Sequence, residues 1–400
     1  MPALAARLAD VAVSASVTMT VRARALRAAG HRVISLAIGE PDFDTPAHAI
    51  EAAHRAALAG DTHYPPQDGT PALKEAIRRK FARDNGLDYA LDEIMVANGG
   101  KQIIANAFLA TIDPGDEVLI PAPYWISYAD QAKFAGGVPR FVACPQNNGF
   151  RLRAEDLAAA ITPRTKWVVL NSPNNPSGAA LGEEDLRAIA EVVRRHPHVW
   201  VLSDDIYEHL IYDGFRFATL AQVAPDLRDR VLTVNGASKA YAMTGWRIGF
   251  CGGPRALIKA MVNVQGQLTS GVCTVAQAAA AAALDGPQDV LGERAELYRR
   301  RRDLVVAMLN EAPGLSCHRP EGAFYVYPSV AGLIGRTTPA GRRLETDLDV
   351  AMALLEEAHV AVVHGGAYGM SPYVRISYAT DEESLREACA RIADWCARLR

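Results

Sequence analysis

Several things are scarce in this sequence of 400 residues, and each scarcity excludes a class of protein. Cysteine comes first. The six cysteines, at 144, 251, 273, 317, 389 and 396, form no Cys-x-x-Cys pair and lack the regular spacing of a zinc site or disulfide framework. They read as reduced, mostly buried thiols. No excess of one charge is present either: 42 Lys and Arg stand against 45 Asp and Glu, so there is no broad positive field to draw in a nucleic acid. The one dense basic run, Arg299 to Arg302, points all round a helix axis and reads as a solvated face. His196 and His198 bracket a proline and read as a turn before a strand, so no metal is expected. No run reaches the roughly 18 to 20 apolar residues needed to span a bilayer. The alanine run 278–283 reads as a close-packed helix. Arg7 and Asp10 interrupt any signal-peptide core at the start, and the expected location is the cytoplasm.

What is present is a half-apolar chain, too rich in core residues to be disordered and long enough for one large domain and a smaller one. Short β-branched runs at 94–97, 117–120, 166–170, 200–203, 231–234 and 248–251 alternate with helical periodicity, as at 101–111 and 183–195. That is the pattern of an α/β fold with a mainly parallel sheet. After Gly286-Pro287 the texture changes to a long helix from 289 to about 310, strands at 323–327, 360–363 and 373–378, and a last helix striped with Leu385, Cys389, Ile392, Cys396 and Leu399. The expected division is an N-terminal segment, 1–45, packing with the small domain; a large domain, 46–287; and a small C-terminal domain, 288–400.

Chemistry concentrates at the C-terminal ends of the predicted strands, where open α/β sheets place ligands. Lys239, just beyond a strand and flanked by small residues, is placed for Schiff-base chemistry, since burial lowers the pKa of an amine and leaves it nucleophilic. Arg247, eight residues on, offers a fork for a phosphate, although this pair taken alone reads more readily as two surface residues. Gly99-Gly100-Lys101 opens a helix whose amides can face an anion, or simply makes a turn. Asn175 lies in a proline-stiffened loop. Asp204 and Tyr207 bring a carboxylate and a phenol within three positions, or form a solvated acidic turn. A lysine, an anion cradle, a carboxylate, a phenol and an amide together meet the needs of pyridoxal 5′-phosphate: an imine partner for its aldehyde, donors for its phosphate, a carboxylate for its ring nitrogen and donors for its ring oxygen.

At this point the chain resembles the class I aminotransferases of fold type I, in the bacterial branch of aspartate and aspartate/prephenate aminotransferases. The resemblance spans nearly the whole chain and is carried by Gly39-Glu40-Pro41-Asp42-Phe43, Pro123-Tyr124-Trp125, Asn174-Asn175-Pro176-Ser177-Gly178, Ser238-Lys239, Gly245-Trp246-Arg247-Ile248-Gly249 and Val374-Arg375-Ile376-Ser377-Tyr378. It implies a large domain with a mainly parallel seven-stranded sheet between helices, and a smaller α+β domain built from both chain ends. It also implies Lys239 as Schiff-base lysine and proton shuttle, Asp204 on the pyridine nitrogen, and Tyr207 and Asn175 on the ring oxygen. Ser238, Arg247 and the amides of Gly100 and Lys101 would hold the phosphate, and Trp125 would lie against the ring and shape the substrate pocket. Tyr64 would reach the phosphate of the neighbouring subunit in a homodimer. Arg375 would clamp the substrate α-carboxylate with the Gly39 backbone nearby, and Lys101, with Ser14 and Ser16, would meet a distal carboxylate.

The activity so implied is ping-pong transamination of L-aspartate with 2-oxoglutarate. Prephenate or aromatic amino acid transamination on the same scaffold is the alternative. Relatives that use prephenate carry a basic residue and a proline where this chain has Ala12 and Val13, which favours aspartate.

Overall fold

A computed structural model describes residues 5, 8, 11 and 13–400; Arg7, Asp10 and Ala12 lie outside the described residues. Its centre is a seven-stranded sheet, ordered Ile94–Asn98, Ile248–Gly252, Val231–Gly236, Trp200–Asp204, Thr165–Asn171, Glu117–Ala122 and Val138–Ala143. Only Ile248–Gly252 runs against its neighbours. Side chains alternate across this sheet into two cores. Val168, Leu170 and Val201 face one side, while Trp167, Val169 and Leu202 face the other. This near-continuous burial is why the inner strands stand out as apolar runs. Val138–Ala143, an edge strand with Pro139 in it and most residues exposed, escaped sequence reading because nothing covers it enough to demand such a run.

The flanking helices have local reasons to begin and end where they do. Glu183–Arg194 has Glu183, Glu184 and Asp185 in its first turn and Arg194 in its last, matching the helix dipole. Pro71–Asn85 follows a Thr70 cap and stops at Gly86, whose φ of 63° suits a left-handed ending. The alanine run lies in Thr274–Asp285, where Ala276, Ala279, Ala280 and Ala283 share a buried cluster with Ala49 and Ala53 of Ala47–Leu58.

A third core lies under an antiparallel sheet of Val363–His364, Val374–Ser377 and Tyr325–Val326. Ile34–Ser35 pairs in parallel with Val360–Ala361, which ties the start of the chain to this C-terminal unit. The terminal helix Glu382–Ala397 buries Leu385, Cys389, Ile392 and Cys396 as its periodicity predicts. All six cysteines are free, and only Cys273 is exposed.

The basic run requires a correction. Arg300 is exposed, but Arg301 and Arg302 are buried on helix Asp289–Glu311. Arg301 forks onto both Asp42 oxygens at 2.8 Å, and Arg302 reaches Asp213 at 2.8 Å and the Pro320 carbonyl at 2.9 Å. The helix is covered by the Asp42 turn and the Tyr212-Asp213 segment, and those partners compensate the buried charge. A run of arginines in sequence carries no sign of which carboxylates the fold will bring to it.

Candidate active site

The ends of several strands of the large sheet converge on a cleft of about 390 Å³, closed on its other side by residues of the smaller unit. Lys239 follows Val231–Gly236, and its Nζ donates to the Gly39 carbonyl at 2.7 Å. Burial of the amine, and then the nearby Arg375 charge, lowers its pKa to about 8. A lysine held this way has a usable neutral fraction near neutrality.

Asp204 ends the adjacent strand and is buried. Its carboxylate accepts from the Tyr128 hydroxyl at 2.6 Å and from the Ile206 amide at 3.4 Å, with no salt bridge to a cation among the described residues. Burial pushes its pKa up to about 6. The next residue, Asp205, points the other way, as strand alternation demands, and accepts from Ser203 Oγ at 2.8 Å. Of the two acids, only Asp204 lines the cleft. Tyr207 lines it too, with its hydroxyl 3.0 Å from that of Tyr325.

One end of the cleft is a cradle. Gly99 has a φ of 82°, and a Cβ there would fall 2.3 Å from Arg247 Nη2. A Cβ on Gly249 would meet the Gly100 nitrogen at 2.3 Å. The absence of these side chains lets the guanidinium pack against the first turn of helix Gly100–Thr111, where free amides favour an anion. Arg247 itself takes a φ of 59° and is fixed by Nη1 donating to the Thr244 carbonyl at 2.9 Å. Ser238 is buried on the same wall.

The opposite end carries Arg375, buried in strand Val374–Ser377. It donates to Asn175 Oδ1 at 3.0 Å, Ser16 Oγ at 3.2 Å and the Ala37 carbonyl at 2.6 Å. Because the Asn175 amide accepts here through oxygen, its nitrogen is available to donate elsewhere. Trp125 stands edge-on to Tyr128, with Lys101 Nζ 5.1 Å from its ring centroid. Loss of solvent, and then the charge of Arg247, lowers the Lys101 pKa. Ser14 lines the cleft, whereas Tyr64 is outside it and 95% exposed.

These groups fit pyridoxal phosphate on three observations. Asp204 is a buried carboxylate lacking an ion-pair partner and suited to a cationic ring N–H, the glycine cradle leaves room beside donors for a phosphate, and Lys239 offers a buried amine between them. Sequence reasoning missed Tyr128, Tyr325, Glu40 and Thr244, all of which line the cleft. Tyr128 had a faint signal, one helical turn after Trp125. The contact between the Thr244 hydroxyl and the Glu40 carboxylate had none, because it joins positions 204 residues apart.

An α/β fold with this sheet and this cleft defines a transferase of the fold type I class. Residues 31–392 match the family model described as aminotransferase class I and II, and the chain belongs to that family. It is 58% identical over 395 residues to an aspartate aminotransferase of Rhizobium meliloti (strain 1021), covering 99% of this chain and 96% of the relative. It is 56% identical to an aspartate/prephenate aminotransferase of Cereibacter sphaeroides, covering all of both chains. Among solved structures, an aspartate aminotransferase from Rhizobium meliloti superposes with a TM-score of 0.97 at 57% identity, each chain fully covered. The Thermus thermophilus aspartate aminotransferase with maleate gives 0.90 at 44%, covering 98% of this chain and 100% of that one.

Proposed function

We propose that the chain catalyses pyridoxal phosphate-dependent transamination of L-aspartate with 2-oxoglutarate, giving oxaloacetate and L-glutamate. The observation that carries this is the grouping, in one cleft, of an amine with a lowered pKa, a buried carboxylate without an ion-pair partner and a fixed guanidinium. The relatives' names support the choice of aspartate.

Bound pyridoxal phosphate would supply the electron sink and carry the amino group between the two half-reactions. Asp204, oriented by Tyr128, would keep its ring nitrogen protonated. Asn175 and Tyr207 would donate to its ring oxygen, and Ser238, Arg247 and the Gly100 and Lys101 amides would hold its phosphate, with Trp125 against the ring. Lys239 would anchor it, then take the proton from Cα of the amino acid and return one at the corresponding carbon of the oxo acid. Arg375, backed by Ser16 and with the Gly39 backbone beside it, would grip the α-carboxylate in two-point geometry.

We also place the division of the chain at 1–45 with 288–400 in the small unit, and 46–287 in the large one. Binding between Arg375 and Lys239 then draws the two together and excludes water. Tyr64, exposed on the large unit as Leu58 is, is assigned to the partner's phosphate site in a homodimer. No helix among the described residues is long and apolar enough to cross a membrane, and the free thiols suit the cytoplasm; recovery in a membrane fraction contradicts that placement.

Purified protein loaded with pyridoxal phosphate has a visible band that L-aspartate removes and 2-oxoglutarate restores. The same sample has twice the chain mass by light scattering. A band indifferent to aspartate overturns the donor, and a monomer overturns the role of Tyr64. Prephenate is the alternative acceptor, in keeping with the name of the Cereibacter relative; a steady-state preference for prephenate over oxaloacetate makes it the principal acceptor instead.

Lys101 is assigned, with Ser14, to the distal carboxylate of the substrate; Ser16, expected there from the sequence, is turned instead to Arg375, 3.2 Å away. Replacing Lys101 with alanine raises KM for aspartate roughly tenfold, the worth of one charged hydrogen bond, and leaves KM for alanine or phenylalanine within about twofold. Steady-state comparison of the three donors checks this. Equal losses for all three assign Lys101 to the cofactor instead.

A further inference from the structure

Tyr325 joins the two ends of the cleft. It lies on strand Tyr325–Val326 of the smaller sheet and is buried. Its ring packs on the Arg375 guanidinium, 4.6 Å from centroid to Cζ, and Tyr368 packs on the same group at 5.0 Å. Its hydroxyl is 3.0 Å from the hydroxyl of Tyr207 on the large unit. It also limits Gly39, where a Cβ would fall 2.3 Å from the Tyr325 hydroxyl oxygen.

The hydrogen bonds of Arg375 explain why such a residue is needed. Its Nη atoms are anchored to Asn175, Ser16 and Ala37, but its buried Nε has no hydrogen-bond partner among the described residues. Bonds at the two Nη atoms alone leave the guanidinium plane able to tilt about the line joining them, so what packs on its faces limits that tilt. An aromatic ring does this without using a donor that the substrate carboxylate needs. At the other end, a phenol that donates to a cofactor oxygen becomes a stronger donor when its own oxygen accepts a hydrogen bond. Tyr325 is placed to give that bond to Tyr207.

We propose that Tyr325 is a positioning residue with two separable tasks: its ring sets the plane of the Arg375 fork, and its hydroxyl polarises Tyr207 toward the cofactor oxygen. The inference rests on the function proposed above and extends it to a residue that links the carboxylate grip to the cofactor. A substrate that moves the Arg375 fork thereby moves the group that holds Tyr207.

The two tasks are tested on holoenzyme by measuring the affinity for maleate, a dicarboxylate without an amino group to transfer, and the pH midpoint of the bound cofactor's visible band. Tyr325→Phe keeps the ring. It leaves maleate affinity within about twofold of wild type and raises the midpoint by roughly half a pH unit, because the anionic ring oxygen loses support. Tyr325→Leu removes both and weakens maleate about tenfold in addition.

Gly39→Ala pushes the Tyr325 hydroxyl out of place and also weakens maleate about tenfold. Tyr325→Phe in that background restores part of the loss, which keeps the test decisive should Tyr325→Leu fail to fold. An unchanged midpoint in Tyr325→Phe overturns the hydroxyl's task. Unchanged maleate affinity in Tyr325→Leu, or no rescue of Gly39→Ala, overturns the ring's. Lack of a cofactor band in the wild type overturns the proposed function and this inference together, whereas a wild-type band with unaltered variants overturns the inference alone.

Discussion

Replacing Lys239 with alanine lowers transamination by at least about four orders of magnitude, because in the proposed function one atom both anchors the cofactor and carries the proton. Nothing else in the cleft can take over. Lys101, the other lysine lining it, sits over Trp125 at the side of the cleft, and Arg247 and Arg375 are already committed to backbone carbonyls at its two ends. The loss is chemical and not structural, since the amine's hydrogen bond to the Gly39 carbonyl is worth only about 1 kcal/mol. The variant therefore keeps its circular dichroism spectrum and melts close to wild type, but forms no borohydride-stable link to pyridoxal phosphate. The lowered pKa adds a second reading: in apoprotein freed of cofactor, reductive labelling at position 239 rises with pH about a midpoint near 8, well below that of a free lysine. Ordinary turnover in Lys239→Ala would remove this residue from the mechanism.

Asp204→Asn separates stability from catalysis. In the apoprotein the Asp204 carboxyl has its pKa pushed up to about 6 from an ordinary 3.8. Between those values the folded chain holds a proton that the unfolded chain has lost, so stability falls as pH rises through the window. Above it the full cost, about 3 kcal/mol, is present. Asparagine cannot ionise and still accepts from Tyr128, so at neutral pH apo Asp204→Asn melts higher than apo wild type. In the proposed function cofactor binding would reverse this order, because the ring N–H it supplies would offset the charge of the wild-type carboxylate. Turnover falls about a thousandfold if, as proposed, Asp204 forms a buried charge pair with the bound cofactor, worth several kcal/mol. Calorimetry of both proteins with and without cofactor, beside a steady-state assay, checks the two halves. A lower apo melting temperature in the variant would mean that a group other than Tyr128 and the Ile206 amide stabilises the Asp204 carboxylate.

Much of this could be read in the sequence, for a physical reason. Strands buried on both faces must be apolar along their length, so 94–98, 165–171, 200–204 and 231–236 stand out, and ligand chemistry sits where they end. Lys239, Asp204, Asn175 and Arg247 lie within a few residues of a strand end, which makes their approach to one cleft a matter of topology. The edge strand Val138–Ala143 lacked that signature because half-exposed backbone imposes no such composition.

The chain by itself therefore determined the α/β fold and the family, and it singled out most of the side chains that line the cleft, since local pattern and short motifs encode them. Only the tertiary structure decided which of Asp204 and Asp205 faces the cleft, that Tyr128 holds Asp204, that Arg301 and Arg302 are buried against Asp42 and Asp213, and that Tyr325 touches both Arg375 and Tyr207. All but the first join positions far apart in the chain, and the energy of a side-chain pair depends on a separation in space that no local pattern records. The first depends on the direction in which a strand presents its side chains, and that is fixed only when its neighbours pack.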